Sequence, residues 1–217
     1  MLETILNLIF PPVCGICNQI CLNNLCEECE ETLKEYKLNI RTNFYVHSNK
    51  YFDNLINIFR YKGIIRKKII EYKFGDKPYL YKTFAEIILK SEKIYGNLKN
   101  YDIIIPVPIS KTKKHIRGYN QTELIAKEIS KRIANLEYVK NVLIKKIDTK
   151  PQSLLNKKER KENIKNVFCI NNENRVIGKK IILFDDIYTT GATAGECSKM
   201  LKQFGAKEVL VLTIARD

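Results

Sequence analysis

Ile181-Ile182-Leu183-Phe184-Asp185-Asp186-Ile187-Tyr188-Thr189-Thr190-Gly191-Ala192-Thr193 is the stretch that decides the fold. Its first four residues read as a buried strand, because a parallel strand covered on both faces needs no polar alternation. Two carboxylates stand side by side where that strand is expected to end. A turn of small residues follows from Thr189 to Thr193, and then a helical pattern from Ala194 through Phe204, closed by Gly205. A strand, a tight loop and a helix N-terminus together form an anion cradle, since free backbone N–H groups converge there. The hydroxyls of Thr189, Thr190 and Thr193 add donors, and Gly191 lets the backbone come close to a phosphate. Asp185 and Asp186 do not suit a phosphate, but they suit sugar hydroxyls or a Mg²⁺ ion beside it. An anion site with an acidic edge points to a phosphorylated sugar. The plain alternative is an ordinary parallel strand whose terminal acids are merely solvated.

Outward from that stretch, alternating strands and helices predict a parallel, doubly wound α/β sheet. The core begins at Tyr101, and Asp102-Ile103-Ile104-Ile105-Pro106-Val107-Pro108 is a short apolar strand that Pro106 ends, because proline cannot donate to a ladder. A loop from Ile109 to Lys114 then lies at the carboxyl end of that strand, where open α/β sheets place ligands. A helix is expected from about Thr122 to Ala134, a second strand from Val142 to Ile147, and a last strand from Glu208 to Ile214. Thr149 to Asn163 has little periodicity and many polar groups, which predicts a mobile loop or lid. Asp102 reads as a charge at the start of a strand, on the surface.

Before the core, the apolar positions of 64–74 approximate a helical face with basic residues opposite, and Lys73 at its end is the one singled out to face a ligand. Pro78 opens a second helix through about Tyr95. Asn39 to Asn54 reads as a connector. The expected domains are an N-terminal helix and cysteine module over 1–40, a connector and helical hood over 41–100, and the α/β core over 101–217. Such a length holds one full core and a small appendage.

The appendage carries Cys14-Gly15-Ile16-Cys17 and Cys26-Glu27-Glu28-Cys29. Two C-x₂-C pairs offer four thiolates for a tetrahedral Zn²⁺, with disulfides as the alternative that a cytosolic setting disfavours. A four-thiolate site with no open position is structural rather than catalytic. Cys21 reads as a bystander that could also substitute for a neighbour as ligand, and Cys169 and Cys197 as buried apolar residues. No apolar run reaches the roughly 20 residues needed to cross a bilayer. Met1 to Phe10 contains Glu3 and no basic leader, so a short amphipathic helix is expected there rather than a signal peptide, and the cytoplasm is the expected location.

The formal net charge is +14. Lys, Asn and Ile are abundant throughout, as a compositional bias would make them, but the charge is not spread evenly. Residues 110–166 hold 16 Lys/Arg against 6 Asp/Glu. Such a segment favours phosphates, from a nucleotide to single-stranded DNA. Lys73, Lys111, Lys113, Lys114, Arg117 and Tyr119 are the candidate nucleic-acid contacts, with Tyr61, Tyr72 and Tyr119 as candidate base-stacking rings.

The residues 181–193 resemble, at every position, the signature of type I phosphoribosyltransferases, which bind 5-phosphoribosyl-1-pyrophosphate (PRPP). Four further blocks resemble the ComF competence family over nearly the whole chain. They are the four-cysteine knuckle; Tyr61-Lys62-Gly63 with Lys73-Phe74-Gly75-Asp76; Arg117-Gly118-Tyr119-Asn120-Gln121; and Gln152-Ser153-Leu154 with Glu159-Arg160 and Asn163. The resemblance implies a phosphoribosyltransferase fold with a zinc ribbon, PRPP and Mg²⁺ as ligands, and a role in DNA uptake with single-stranded DNA and other competence proteins as partners. It places Asp185, Asp186, Thr189, Thr190, Gly191, Ala192 and Thr193 around ribose and 5′-phosphate. It sets Pro108 and Lys111 in a pyrophosphate loop, with Gln152, Arg160 and Arg117 toward pyrophosphate; Asp185, Asp186, Arg160 and Arg117 are the catalytic candidates. The acceptor of the ribose is not implied, and some relatives of the wider fold are regulators.

Overall fold

The computed structural model describes residues 11–38, 51–147, 159, 163, 164 and 166–217. Five strands form the main sheet in the order β1 (Asn54–Arg60), β7 (Glu208–Arg216), β6 (Lys180–Tyr188), β2 (Ile103–Pro106), β3 (Glu137–Tyr138). Every neighbouring pair is parallel. Side chains alternate across a pleated strand, so β6 sends Ile182 and Phe184 into one core and Ile181 and Leu183 into the other. All four are fully buried, which is why an unbroken apolar run was the right signal.

Helices cover both faces, as the doubly wound expectation requires. The Ile182 face packs against α2 (Gly63–Phe74), α3 (Leu80–Leu89), α4 (Glu92–Leu98) and α6 (Gln121–Arg132). The Ile181 face packs against α7 (Ala192–Gln203) through Ala194, Cys197 and Leu201.

Several sequence expectations shift. The sheet takes its edge strand β1 from 54–60, inside the stretch expected to be connector and hood. Asn57 breaks the apolar run there, yet it is buried with its Oδ1 accepting from Thr213 Oγ1 on β7 at 2.7 Å. The partner of its side-chain oxygen is distant in sequence, so local pattern could not find the strand. The expected strand of 142–147 is shorter, β4 (Leu143–Lys145), and pairs antiparallel with β5 (Phe168–Ile170) in a separate two-stranded sheet. Beside β2 sits β3 instead. The expected loop of 109–114 becomes α5 (Lys111–Arg117) from its third residue on; Ser110 Oγ accepts from the Lys113 N–H, and Gly118 ends it at φ 74°. The expected helix from Pro78 to Tyr95 is two helices, broken between Leu89 and Glu92. Strand β6 does not stop at the acids but runs on to Tyr188, because β7 continues beside it with Asp185 opposite Thr213 and Tyr188 opposite Arg216. Of the two core cysteines, Cys197 is buried and Cys169 only partly so. Asp102 is exposed and its carboxylate accepts from the Lys180 N–H at 2.7 Å. The N-terminal helix expected over 1–10 lies outside the described residues, as does most of 149–163.

The cysteine module rests on α3. Thr83 Oγ1 donates to Asn24 O at 3.0 Å, and Glu86 Oε2 accepts from both the Asn24 N–H and its side-chain amide at 3.2 Å. Contact is so close that a Cβ on Gly15 would lie 2.2 Å from Thr83 Oγ1. Helix α1 (Glu27–Leu33) brings Cys29 and Leu33 into the same core as the sheet, and Leu38 N–H donates to Ile58 O at 2.9 Å, covering the free edge of β1.

Candidate functional site

Chain order puts β7 on one side of β6 and β3 on the other side of β2, so the crossovers leave in opposite directions between β6 and β2. Beyond the carboxyl ends of the strands, such a switch point opens a crevice. A cleft of about 560 Å³ lies there, and Val107, Pro108, Asp185, Asp186, Thr189 and Gly191 are on its wall.

The loop after β6 has the geometry of an anion cradle. Gly191 adopts φ 73° as the residue preceding α7, a left-handed conformation that favours glycine. A Cβ there would also fall 2.3 Å from the Tyr188 hydroxyl, so the position is closed to side chains twice over. Thr190 Oγ1 accepts from the Ala192 N–H at 3.4 Å, and Gly191 O accepts from the Gly195 N–H at 2.7 Å as α7 begins. Helix α7 has 12 residues and aims its N-terminus at the cleft, with Ala192, Thr193 and Ala194 on the wall.

Facing this loop is the acidic edge. Asp185 Oδ1 accepts from the Asp186 N–H at 2.9 Å, and Asp186 Oδ2 lies 2.7 Å from Lys73 Nζ, at the end of α2. Lys73 therefore does face the cleft, and in this structure an acid is its partner. Burial, and next the Asp186 charge, push the Asp185 carboxyl up to about 7 against the pull of Lys73.

Arg117 is on the cleft wall, and the block from Arg117 to Gln121 holds it in place. Asn120 caps α6, its Oδ1 accepting from the Thr122 N–H at 3.3 Å while its amide donates to Val107 O at 3.3 Å. Thr122 Oγ1 donates to the same carbonyl at 2.8 Å. These bonds fix the backbone that leaves β2 just before Pro108. Arg117 donates to Gln121 Oε1 at 3.1 Å and lies over the Phe74 ring, 4.7 Å from its centroid. Burial pulls its pKa below the ordinary guanidinium value, with Asp186 pushing the other way.

Of the sequence candidates, Asp185, Asp186, Thr189, Gly191, Ala192, Thr193, Pro108, Lys73, Lys113 and Arg117 come together on one cleft. Thr190 belongs to its loop. Lys111 and Lys114 are exposed on α5, and Lys114 Nζ lies 3.4 Å from Glu123 Oε2. Gln152 and Arg160 lie outside the described residues. Two of the three stacking tyrosines do not fit that role. Tyr72 is fully buried between Phe84 and Tyr119, with its hydroxyl donating to Gln121 O, and Tyr119 is half-buried with its hydroxyl donating to Tyr72 O. Sequence reasoning missed Phe74, whose ring is 68% exposed at the cleft, because an apolar residue at helical spacing reads as core. It also missed Tyr188 beneath the loop and Gln121 behind Arg117; a phenol or amide in a strand or helix carries no local signal of such contacts.

In the N-terminal module, the thiols of Cys14, Cys17, Cys26 and Cys29 all lie within 4.8 Å of one another. Cys17 Sγ and Cys26 Sγ are 3.8 Å apart, the edge of a tetrahedron whose metal–sulfur bonds are about 2.3 Å. Four thiolates around one point can hold a metal ion. Cys21 is outside the cluster and donates to Asn23 O.

The Asp185 carboxyl has a pH consequence. Its folded value lies above the ordinary 3.8, so the native chain holds a proton that the unfolded chain gives up between pH ~4 and ~7. Stability from this group therefore falls as pH rises through that window. Asp185→Asn keeps the acceptor for the Asp186 N–H and removes the penalty. The variant should melt higher than the parent at pH 8 by a few degrees, at roughly 2–4 °C per kcal/mol relieved, with the margin vanishing near pH 4. Melting temperatures of both proteins across pH 4–8 check this; a margin independent of pH contradicts it.

No family model matches the chain. Among solved structures, it is similar to the allosteric regulatory enzyme of purine biosynthesis (19% identity, TM-score 0.42, covering 66% of this chain and 29% of that one). It is also similar to phosphoribosylpyrophosphate synthetase from Mycobacterium smegmatis (17%, TM-score 0.32, 62% and 33%). Curated relatives are nearer. Competence protein F of Haemophilus influenzae is 27% identical over 212 residues, 91% of this chain and 92% of that protein. Competence protein ComFC of Streptococcus pneumoniae is 33% identical over 159 residues, 73% of this chain and 66% of that protein. The DNA utilization protein YhgH of Escherichia coli K12 is 26% identical over 166 residues, 75% and 71%. With its four-cysteine module, its parallel sheet and relatives matched along nearly its whole length, the chain belongs to the ComF family of competence proteins.

Proposed function

We propose that the cleft binds PRPP with Mg²⁺ and that the protein acts in DNA uptake as a phosphoribosyltransferase. The observation that carries this reading is the pairing of an anion cradle at the start of α7 with an acid pair late in β6, in one cleft. Residues 189–193 hold the 5′-phosphate by backbone N–H groups and hydroxyls. Asp185 and Asp186 hold the ribose hydroxyls; two hard carboxylates also suit Mg²⁺, whose charge, when bound, neutralises the pyrophosphate that leaves. Entry of the sugar takes Asp186 from Lys73, which then faces the departing anion. Arg117, steadied by Gln121 and Phe74, adds a two-pronged donor to the same charge. Transfer breaks the C1–pyrophosphate bond and joins C1 to an acceptor nucleophile. PRPP with Mg²⁺ should raise the melting temperature, and Asp185→Asn with Asp186→Asn should abolish that rise. An unchanged melting curve for the parent protein would rule the reading out.

The metal of the N-terminal module is zinc. Four thiolates leave no open coordination position, so its work is structural: it ties two knuckles into one body that rests on α3. Elemental analysis should find about one zinc per chain, lost with a lower melting temperature in Cys17→Ser. A metal-free parent protein would refute this.

A second reading is supported by the surface beside the cleft. Helix α5 carries Lys113 and Arg117 on the cleft and Lys111 and Lys114 exposed beside it, and the relatives are named for competence and DNA utilization. In this reading the protein binds single-stranded DNA in the cytoplasm, alongside other competence proteins, and PRPP regulates it. Among the described residues no helix is long and apolar enough to cross a membrane. Binding of a thymine oligonucleotide should weaken steeply between 50 and 200 mM salt. If it survives Lys111→Ala, Lys113→Ala and Lys114→Ala combined, this helix is not the contact surface.

A further inference from the structure

The cleft has a second chemical character besides phosphate and acid. Phe74 ends α2 beside Lys73 and is 68% exposed, where Phe168 and Tyr188 on the same cleft are buried and Tyr61 is partly buried. The Arg117 guanidinium lies over that ring at 4.7 Å and is held from behind by Gln121 Oε1. Ile116, 76% exposed, stands next to Arg117 on the same wall. A phenyl ring largely open to solvent, beside a planar cation and an aliphatic side chain, offers a flat ligand a stacking surface. Lys73 points inward from the neighbouring position to Asp186, so the ring sits at the mouth of the pocket whose floor holds the acids.

We propose that Phe74, Arg117 and Ile116 form a stacking subsite for a nucleobase ring at the mouth of this cleft. Every base has a π-face that stacks on an aromatic ring, and guanidinium planes stack in the same way. The polar edge of the base meets cationic donors there, from Arg117 and from Lys113 on the same helix. A carboxylate would not use the exposed ring face, whose quadrupole is negative. The chemistry is shared by two sources, a free base or nucleoside and the unpaired base of a single strand. It replaces the stacking role that the sequence assigned to Tyr72 and Tyr119, whose rings or hydroxyls are already engaged. As the acceptor subsite of a transferase, it rests on the PRPP reading above; as a stacking surface, it is testable without PRPP.

The fluorescent base 2-aminopurine is quenched when it stacks. One arm titrates the protein into 2-aminopurine riboside, and the other into a ten-residue thymine strand carrying 2-aminopurine at one end. The parent and Phe74→Tyr should quench one or both probes. Phe74→Leu, which keeps an apolar residue at an exposed helix end and therefore folds, should weaken binding about tenfold or more. Quenching of the riboside assigns a small acceptor, and quenching of the strand alone assigns single-stranded nucleic acid; either supports the subsite. No quenching in either arm, or quenching unchanged by Phe74→Leu, overturns it. The PRPP–Mg²⁺ melting shift of the parent is measured in parallel. Its absence with quenching intact removes the transferase reading and leaves the stacking surface standing.

Discussion

The ion pair between Lys73 Nζ and Asp186 Oδ2, at 2.7 Å, joins the helical layer to the carboxyl end of the sheet. Two adjacent carboxylates late in a buried strand repel each other, and burial together with that repulsion raises the Asp185 carboxyl. A cation from another element relieves part of that strain. The arrangement holds only if α2 ends where it does, with Lys73 in its last turn and Gly75 closing it. A site whose charges are balanced internally can exchange one partner for a ligand of suitable charge. Binding then competes with an existing pair rather than filling an uncompensated hole.

Most of the remaining structure serves to hold the two sides of that cleft at a fixed distance. Tyr188 fills the space beneath the loop after β6, and only glycine fits at 191 above it. The Arg117–Gln121 block turns out to be a clamp: Asn120 and Thr122 both bond the Val107 carbonyl, which fixes the backbone leaving β2. Farther away, the cysteine module seals the outer side of α3 and, through residue 38, the edge of β1. Its packing into the same core as the sheet gives metal binding a route to the stability of the whole chain.

Sequence and structure agree best where one local rule acts alone. The strand, turn and helix of 180–203 could be read because continuous apolarity, small residues and helical periodicity occur in succession over about 20 positions. The metal cluster could be read because C-x₂-C spacing is a local geometry. Readings failed where a partner far along the chain overrode the local pattern. Asn57 hid strand β1, the partner of its side-chain oxygen being Thr213 far along the chain, and a helix-forming run at 111–117 passed for a loop because its cap, Ser110, follows a proline-rich exit from β2. Phe74 is the reverse case, an apolar residue at core spacing that the fold leaves bare.

By itself, the sequence determined the type of the central strand–loop–helix unit, the metal-binding module, the alternation that gives a parallel sheet, and the family. Each depends on residue spacing along one continuous segment, where backbone geometry dictates which side chains share a face. Only the tertiary structure decided the strand order, the pairing of Lys73 with Asp186, the burial of Tyr72 and the exposure of Phe74. Those depend on which segments, separate along the chain, meet in the fold, and on which polar groups find partners there. Such contacts are set by packing and desolvation in the assembled core, and no local window contains them.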